Sequence, residues 1–282
     1  MAVKNHDELR IGELPRLQIM PIEDIMFHEE PDIGRVAKLI DRFSAEGTLR
    51  NPVVVAVVDG NARRVLLDGT NRSTALKKLG MAEVLVQEIE LEDGGLVVSQ
   101  WHHAIENLTK HEILRHIDEI PETRKEDGNR ATDINQPDYL CSVLFDDGTA
   151  ATLFGSGDIF QEADALQRFT NLYFGSTQMD RVSYTNPAHL RKNYPGFTAL
   201  VGFKRFTKLE IVELADAGKL LPSGITRVLL PKRALNFNLH LDVLKSELSV
   251  EDKNEWLQET IRRKVLDKSI RFYREPTFSF DE

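Results

Sequence analysis

The sequence is poor in cysteine, contains no long apolar run and carries no excess of positive charge. Cys141 is the only cysteine among 282 residues, which excludes an intramolecular disulfide framework and a structural zinc site built from cysteines. No run of about 18 apolar residues occurs, and the amino terminus lacks the charged-then-apolar pattern of a signal peptide. Together these absences predict a cytoplasmic protein that does not contact a membrane.

The balance of charges is acidic. The chain has 36 lysines and arginines against 45 aspartates and glutamates, a formal net charge of −9. No overall positive field therefore attracts nucleic acid or anionic membranes, and any phosphate site must be local. The segment "RRKVLDKSIRFYR" near the carboxy terminus is basic with interleaved aromatics, but a solvated helix face is the commoner explanation in an acidic protein. We therefore do not expect nucleic acid as a partner.

Hydrophobic periodicity and turn signals predict an α/β (α+β) protein of two parts. The length favours one large or two ordinary domains. The polar segment 123–137 is predicted to be a linker or loop. It separates an amino-terminal domain, residues 1–122, from a carboxy-terminal domain, residues 138–282.

Caps and turn residues predict individual elements. The first half alternates strands with helices, including a capped helix over residues 32–47 and a hairpin whose turn is the Asp-Gly pair at 59–60. In the second half, residues 139–154 indicate another hairpin, and a capping box at 207–210 begins a helix. The segment "SVEDKNEWLQETIRRKVLDKSIRFYR" predicts a terminal amphipathic helix.

A strand followed at once by a polar turn and a helix occurs at residues 66–80, "LLDGTNRSTALKKLG". A helix that opens on Ser73 and Thr74 leaves unpaired backbone N–H groups at its positive end, which form an anion site. Arg72 adds a forked donor for phosphate oxygens, and Asp68 can hold a magnesium ion or orient a nucleophile. Neither the Walker pattern nor Gly-x-Gly-x-x-Gly is present. The alternative is structural: the Asp-Gly pair makes an ordinary turn and Ser73 caps the helix.

Two histidine-containing and acidic segments invite a catalytic or metal interpretation. "FHEEP" puts Glu29 and Glu30 just ahead of the first helix, where adjacent acids also simply favour its positive end. "HEILRH" is not a zinc motif, because His111 and His116 are five residues apart and do not share a helix face. Only the first segment therefore stays a candidate.

Two later segments carry groups that can bind a small polar ligand. "QWHHA" contains Trp101 and His103, although a tryptophan beside a histidine is often core packing. In "PSGITRVLL", Thr226 and Arg227 follow a glycine turn and can bind a carboxylate or phosphate. The alternative for Arg227 is an ordinary surface arginine.

Four segments together resemble one known group of proteins. They are "IMFHEEPDIGRV", "LLDGTNRSTALKKLG", "SQWHH" and "LPSGITRVLLPKRALNFNLHLDVLK", and they span residues 25–245. The chain resembles the ParB/sulfiredoxin superfamily and, within it, the free L-serine kinases. The resemblance implies a ParB/sulfiredoxin-like amino-terminal domain with a second α+β domain that closes the active-site cleft.

The same resemblance implies an activity. It is the transfer of a phosphoryl group from ATP or ADP, with Mg²⁺, to the hydroxyl of free L-serine, giving O-phospho-L-serine. Glu29 is implied as the general base, with Glu30 as the alternative, and Asp68 as a catalytic and magnesium-binding residue. The implied nucleotide-binding residues are Asp68, Gly69, Thr70, Asn71, Arg72, Ser73 and Thr74. The implied serine-binding residues are Trp101, His103, Thr226 and Arg227.

Two positions depart from the pattern of these kinases. Asn71 stands where they usually carry a histidine, so this side chain cannot become cationic, and Val228 stands where some carry a histidine or an aromatic residue. Two other functions therefore stay open: a ParB-like nucleotide-responsive DNA-binding regulator, and a kinase of another small molecule. The turn lacks the reactive cysteine of sulfiredoxin. The choice between ATP and ADP and the oligomeric state are not decided by the sequence.

Overall fold

Strands and helices alternate along most of the chain in a computed structural model that describes residues 13–58, 63–128, 136–175, 179–183 and 185–273. The elements are β1 (Arg16–Pro21), β2 (Ile25–Met26), α1 (Ile33–Glu46), β3 (Thr48–Leu49), β4 (Val53–Val57), β5 (Arg64–Asp68), α2 (Thr70–Lys78), β6 (Glu83–Glu90), β7 (Val97–Gln100), β8 (His102–Glu106), α3 (Lys110–Asp118), β9 (Arg124–Gly128), β10 (Tyr139–Phe145), β11 (Ala150–Phe154), α4 (Ile159–Thr170), β12 (Met179–Val182), α5 (Pro187–Asn193), β13 (Phe197–Phe203), α6 (Lys208–Asp216), β14 (Thr226–Leu229), β15 (Leu239–His240), α7 (Leu241–Lys245) and α8 (Val250–Leu266).

The first sheet has the strand order β1-β6-β4-β5-β2. Strands β4 and β5 pair in antiparallel fashion, which confirms the predicted hairpin, while its Asp-Gly turn at 59–60 lies outside the described residues. Strand β4 also pairs in parallel with β6, which is buried along nearly its whole length. An apolar run of this kind is typical of a strand covered on both faces.

The second sheet has the strand order β12-β8-β13-β10-β11-β9. Strands β10 and β11 form the second predicted hairpin. Strand β9 lies inside the predicted linker and pairs with β11 at the edge of the sheet, so the prediction of a loop there is wrong for residues 124–128. The sequence analysis missed this strand because its polar residues do not alternate with apolar ones. It is a strand because its backbone pairs with β11.

Chain segments from both predicted domains contribute to both hydrophobic cores and to the second sheet. Strand β8 pairs with β12 and β13 across the predicted boundary. Helix α8 packs on the first sheet, where the Asn254 side chain accepts from the Ile19 N–H at 2.8 Å and donates to its carbonyl at 2.7 Å. The domain limits at 122 and 138 stay a prediction, and these contacts join the two parts closely.

Helix ends follow the predicted caps except at the carboxy terminus. Asp32 accepts from the backbone N–H of Arg35, and Gly47 adopts φ 61° at the end of α1. The predicted capping box at Thr207 is present. Helix α8 ends at Leu266 rather than continuing through the basic segment, because Lys268 adopts φ 53° and leaves the helical region. None of the helices in the described ranges is long and apolar enough to cross a bilayer.

Candidate active site

The turn between β5 and α2, residues 68–74, is here named the Asp68 turn. Its Gly69 adopts φ 108°, and a Cβ at that position would lie 2.6 Å from Val53 Cγ1, so only glycine fits. No side chain caps α2, which leaves its first backbone N–H groups open to an anion. Ser73 lies within the helix and does not cap it, and its buried hydroxyl has no partner among the described residues. The structural alternative for Ser73 is therefore wrong.

Two arginines surround the Asp68 carboxylate. Arg72 Nη2 lies 3.4 Å from it, and Arg233 Nη1 forms a closer ion pair. Desolvation raises the pKa of Asp68, but the charges of Arg72 and Arg233 outweigh it and hold this pKa below 3.8. Arg72 Nη1 also donates to the carbonyls of Asn51 at 3.0 Å and Pro52 at 2.7 Å. Arg72 thus fastens the turn to the segment that leads into β4.

The segment at residues 221–227, here named the Gly224 turn, wraps around the Glu29 carboxylate. Glu29 Oε1 accepts from the backbone N–H and the hydroxyl of Thr226, the former at 2.7 Å. Glu29 Oε2 accepts from the Gly224 N–H at 3.1 Å. A backbone bridge accompanies these contacts, because the Leu221 N–H donates to the His28 carbonyl at 2.8 Å. Three donors therefore fix the carboxylate that the sequence singled out.

His103 lies behind the Gly224 turn and is fully buried. Its Nε2 lies 3.0 Å from the Gly224 carbonyl, which can only accept, so Nε2 carries the hydrogen and Nδ1 accepts from the Tyr173 hydroxyl at 2.9 Å. Burial lowers the pKa of His103 from 6.5 to about 3. The ring is neutral, and both of its nitrogens are occupied by protein groups.

Trp101 and Arg227 lie side by side next to this turn. The Arg227 guanidinium carbon is 4.6 Å from the centre of the Trp101 ring, a cation–π contact. Strands β14 and β7 pair so that Thr226 lies opposite Gln100. The backbone N–H of Trp101 donates to the Ile225 carbonyl at 3.0 Å. The structure therefore brings the four residues implied for serine binding to a single turn, although their sequence positions differ by more than a hundred.

Several contacts link the Asp68 turn to the segments that hold Glu29 and the Gly224 turn. Asn71 Oδ1 accepts from the backbone N–H of Asp32 at 2.7 Å, which ties α2 to the segment that follows Glu29. Arg233 pairs with Asp68 and also donates to the Val228 carbonyl at 3.4 Å. The side chain of Glu30 accepts from Gln167 Nε2 at 2.7 Å. The two turns and the acidic pair therefore belong to one site.

Arg181 was not among the candidate residues of the sequence analysis, and it lies on β12 against the Gly224 turn. A Cβ at Gly224 would lie 1.8 Å from Arg181 Nε, so glycine is required there by contact as well as by its φ of 70°. Arg181 Nη2 donates to Ser223 Oγ at 3.2 Å and lies 3.6 Å from Asp32 Oδ2. Burial lowers the pKa of Arg181, and Glu29 and Asp32 oppose that effect. No motif surrounds this arginine, so only the packing reveals it.

The site offers few ligands for a metal ion. Among the described residues, no group of three histidine, cysteine, aspartate or glutamate side chains is positioned to hold a metal. Mg²⁺ bound together with nucleotide phosphates needs only one or two carboxylates from the protein. Asp68 fits that use as a single ligand beside phosphate oxygens.

Comparisons with known proteins agree with the resemblance found in the sequence. No family model matches the chain. It is 25% identical to the ATP-dependent L-serine kinase SbnI of Staphylococcus aureus over 243 residues, which cover 86% of this chain and 89% of SbnI. It is 23% identical to the ATP-dependent L-serine kinase of Staphylothermus marinus over 245 residues, covering 80% and 90% of the two chains.

Solved structures give the same answer for the fold. A C-terminally truncated SbnI covers 88% of this chain and 96% of its own, with a TM-score of 0.67 at 21% identity. This chain has the free serine kinase fold. A free serine kinase in complex with AMP also matches, with a TM-score of 0.64 at 16% identity over 81% of this chain and 93% of that one. The mixed α/β class and the resemblance to free serine kinases are both confirmed.

Proposed function

We propose that this protein is an ATP-dependent kinase that phosphorylates free L-serine to O-phospho-L-serine. The observation that carries the proposal is the Glu29 carboxylate, which three donors of the Gly224 turn hold in the same site as the uncapped start of α2. The names of the two curated relatives support the same activity. A free serine kinase of this fold binds AMP, and a glutamate-to-alanine variant of it binds ADP.

The Asp68 turn is proposed to hold the nucleotide phosphates. The open N–H groups at the start of α2 donate to anions, and the helix dipole favours negative charge there. The glycine at 69 lets a ligand approach the backbone closely. Asp68 is proposed as the magnesium ligand, and Mg²⁺ when bound would neutralise charge on the transferred phosphoryl group. Arg233 and Arg72 supply further positive charge at this end of the site.

Glu29 is proposed as the general base for the serine hydroxyl. Its Oε1 accepts two hydrogen bonds and its Oε2 accepts one, so Oε2 keeps a lone pair for the substrate hydroxyl. In phosphoryl transfer such a group chiefly aligns the attacking oxygen with phosphorus, and it takes the proton as the new O–P bond forms. Glu30 is the weaker candidate, because Gln167 on α4 binds its side chain.

The amino-acid part of serine is proposed to lie against Trp101 and Arg227. The indole forms a flat wall, and the guanidinium stacked on it offers a planar pair of donors to the serine carboxylate. His103 is proposed to support the Gly224 turn without contacting serine through its ring nitrogens, because these bind Gly224 and Tyr173. It fixes the Gly224 peptide, whose N–H donates to Glu29.

The direct test is a product assay. The purified chain is incubated with L-serine, magnesium and either ATP or ADP, and O-phospho-L-serine is measured by mass spectrometry. We expect product with ATP. Absence of product with both donors would contradict the proposal, and product from other small alcohols but not from L-serine would assign a different acceptor. Glu29→Gln serves as the matched control for contaminating kinases.

A further inference from the structure

Three consecutive contacts link Leu66, His28, Thr226 and Glu29, and together they need more hydrogens than these groups ordinarily carry. His28 Nδ1 lies 2.6 Å from the Leu66 carbonyl oxygen, which only accepts, so Nδ1 carries a hydrogen. His28 Nε2 lies 2.9 Å from Thr226 Oγ1, and the same oxygen contacts Glu29 Oε1. The Thr226 hydroxyl has one hydrogen for these last two contacts.

The missing hydrogen can stand in only two places. If Thr226 donates to Glu29, then His28 Nε2 must donate to Thr226, and the ring is an imidazolium. If Thr226 donates to His28, then Glu29 Oε1 must carry the hydrogen. Backbone N–H groups of Thr226 and Gly224 donate to the Glu29 side chain in either case. An ionised carboxylate is a stronger acceptor for these two donors than a protonated one, which favours the first arrangement.

We propose that His28 is held as a buried imidazolium that positions and charge-balances the base Glu29. Both ring N–H groups then donate, one to Leu66 and one to Thr226, and the Thr226 hydroxyl is fixed towards Glu29 Oε1. His28 touches neither serine nor nucleotide in this role, so it is a positioning residue. The inference rests on the proposed function, in which Glu29 is the base.

The surroundings of His28 suit a cation. The side chain is 1% exposed, and burying a charge is costly unless it is paired and hydrogen-bonded. Both nitrogens have an acceptor, and the Glu29 carboxylate lies one hydroxyl away. Two charged side chains lie on neighbouring elements. Asp68 ends the strand that carries Leu66, and Arg181 on β12 interacts electrostatically with Glu29.

Loss of the Nε2 proton would disturb the base. The Thr226 hydroxyl would turn to the ring and leave a lone pair opposite Glu29 Oε1, so the carboxylate would lose one of its three donors. Turnover should therefore be lower in any form of the protein in which His28 Nε2 carries no hydrogen.

The charge of His28 can be measured without any assay of activity. Nitrogen NMR of the full chain with labelled histidine reports whether one or both ring nitrogens carry hydrogen, from about pH 5 to about pH 8. The signals of His28 are assigned by their loss in His28→Gln. We expect both nitrogens to be protonated through neutral pH. A ring with one protonated nitrogen across this range would overturn the proposal, whether or not the protein phosphorylates serine.

The kinetic consequence is tested with the same variant. A glutamine at 28 can donate to Thr226 but carries no charge, so His28→Gln should retain less turnover than the parent and more than His28→Leu. His28→Leu has no donor and should lose most turnover. His116→Gln, which alters a contact to the Arg168 carbonyl on another part of the surface, should keep the parental turnover. Equal turnover in His28→Gln and His28→Leu would contradict the role of His28 as a donor to Thr226.

Discussion

The two turns of the site are built in opposite ways. In the Asp68 turn, the ion pair of Arg72 with Asp68 spans four residues, and its carbonyl partners Asn51 and Pro52 lie about twenty residues away. The Gly224 turn is instead fixed by Glu29, about two hundred residues earlier in the chain, and by His103. The residues of the proposed phosphate site are thus mostly consecutive in the sequence, whereas the residues of the proposed acceptor site come together only after the chain has folded.

Because the two turns are held by different contacts, substitutions in them are expected to have different effects. Changes in the Asp68 turn act mainly on contacts within the turn and with Asn51 and Pro52, although Arg233 also pairs with Asp68. Changes in the Gly224 turn act on contacts that both hold remote segments together and orient a reacting group. Hydrogen bonds to a charged group contribute about 1.5–3 kcal/mol each, so Glu29 has a structural role beside its proposed chemical one.

The largest effect is expected at Glu29. Glu29→Gln removes the proposed base. It also replaces one carboxylate oxygen, which accepts a hydrogen bond, by an amide NH₂ group that can only donate. We expect kcat to fall by ~10²–10⁴-fold and the melting temperature to fall as well, because the Gly224 turn loses an ionised partner. Steady-state kinetics and thermal melts measure both. Glu30→Gln is the control. Near-parental kcat in Glu29→Gln together with a large loss in Glu30→Gln would mean that the base is Glu30.

The second effect is expected at Arg72 and tests how independent the Asp68 turn is. Arg72→Ala leaves the carbonyls of Asn51 and Pro52 without their donor, so we expect unfolding to be easier by about 1–3 kcal/mol. Nucleotide affinity should fall by roughly ten- to a hundredfold. Calorimetry and denaturant titration separate the two. Arg16→Ala, at an exposed ion pair, should change neither, and unaltered nucleotide binding in Arg72→Ala would exclude its phosphate role.

A third prediction concerns His103 and its contribution to the pH dependence of the free energy of unfolding. The pKa of His103 is about 3 in the folded chain and 6.5 when exposed, so below pH 6.5 the unfolded chain binds one more proton at this residue. The free energy of unfolding should therefore decrease by about 1.4 kcal/mol per pH unit as pH falls from 6.5 towards 3, and His103 contributes no slope above 6.5. Denaturant titrations of the parent and of His103→Gln across this pH range isolate the contribution of His103. Equal slopes in the two proteins would show that His103 is not the group responsible.

The smallest effect is expected at Asn71, which belongs to the Asp68 turn and contacts the segment that follows Glu29. Asn71→Asp keeps the acceptor for the Asp32 N–H but loses the amide donor and adds negative charge beside the nucleotide. We expect KM for ATP to rise roughly two- to tenfold with little change in melting temperature. Asn71→Leu also loses the contact to Asp32 and should lower the melting temperature. If both variants bind ATP like the parent, Asn71 does not face the phosphates.

Local patterns allowed much of the fold to be predicted. Asp32 and Gly47 bound α1, and Thr207 begins α6, because each cap is a hydrogen bond or backbone conformation within one turn of the helix. The hairpin strands follow from apolar runs around turn residues. The Asp68 turn was recognisable because its residues are consecutive.

Other features had no local signal. Strand β9 is polar and is defined by its pairing with β11, and α8 stops at Leu266 although the helical pattern continues. Arg181 stands in no motif, and its contact with Gly224 arises between strands far apart in the chain. These features could not be predicted because their partners lie elsewhere in the sequence.

Local patterns were enough to predict most helices and strands, the Asp68 turn and the polar residues available for chemistry. The packing of distant segments encloses Glu29 in the Gly224 turn, occupies both nitrogens of His103 with protein groups and places His28 Nε2 beside the Thr226 hydroxyl. Caps and turns can be predicted because their hydrogen-bond partners lie within a few residues. The hydrogen-bond partners of a buried charged or titratable group are instead whatever the packing of distant segments brings to it.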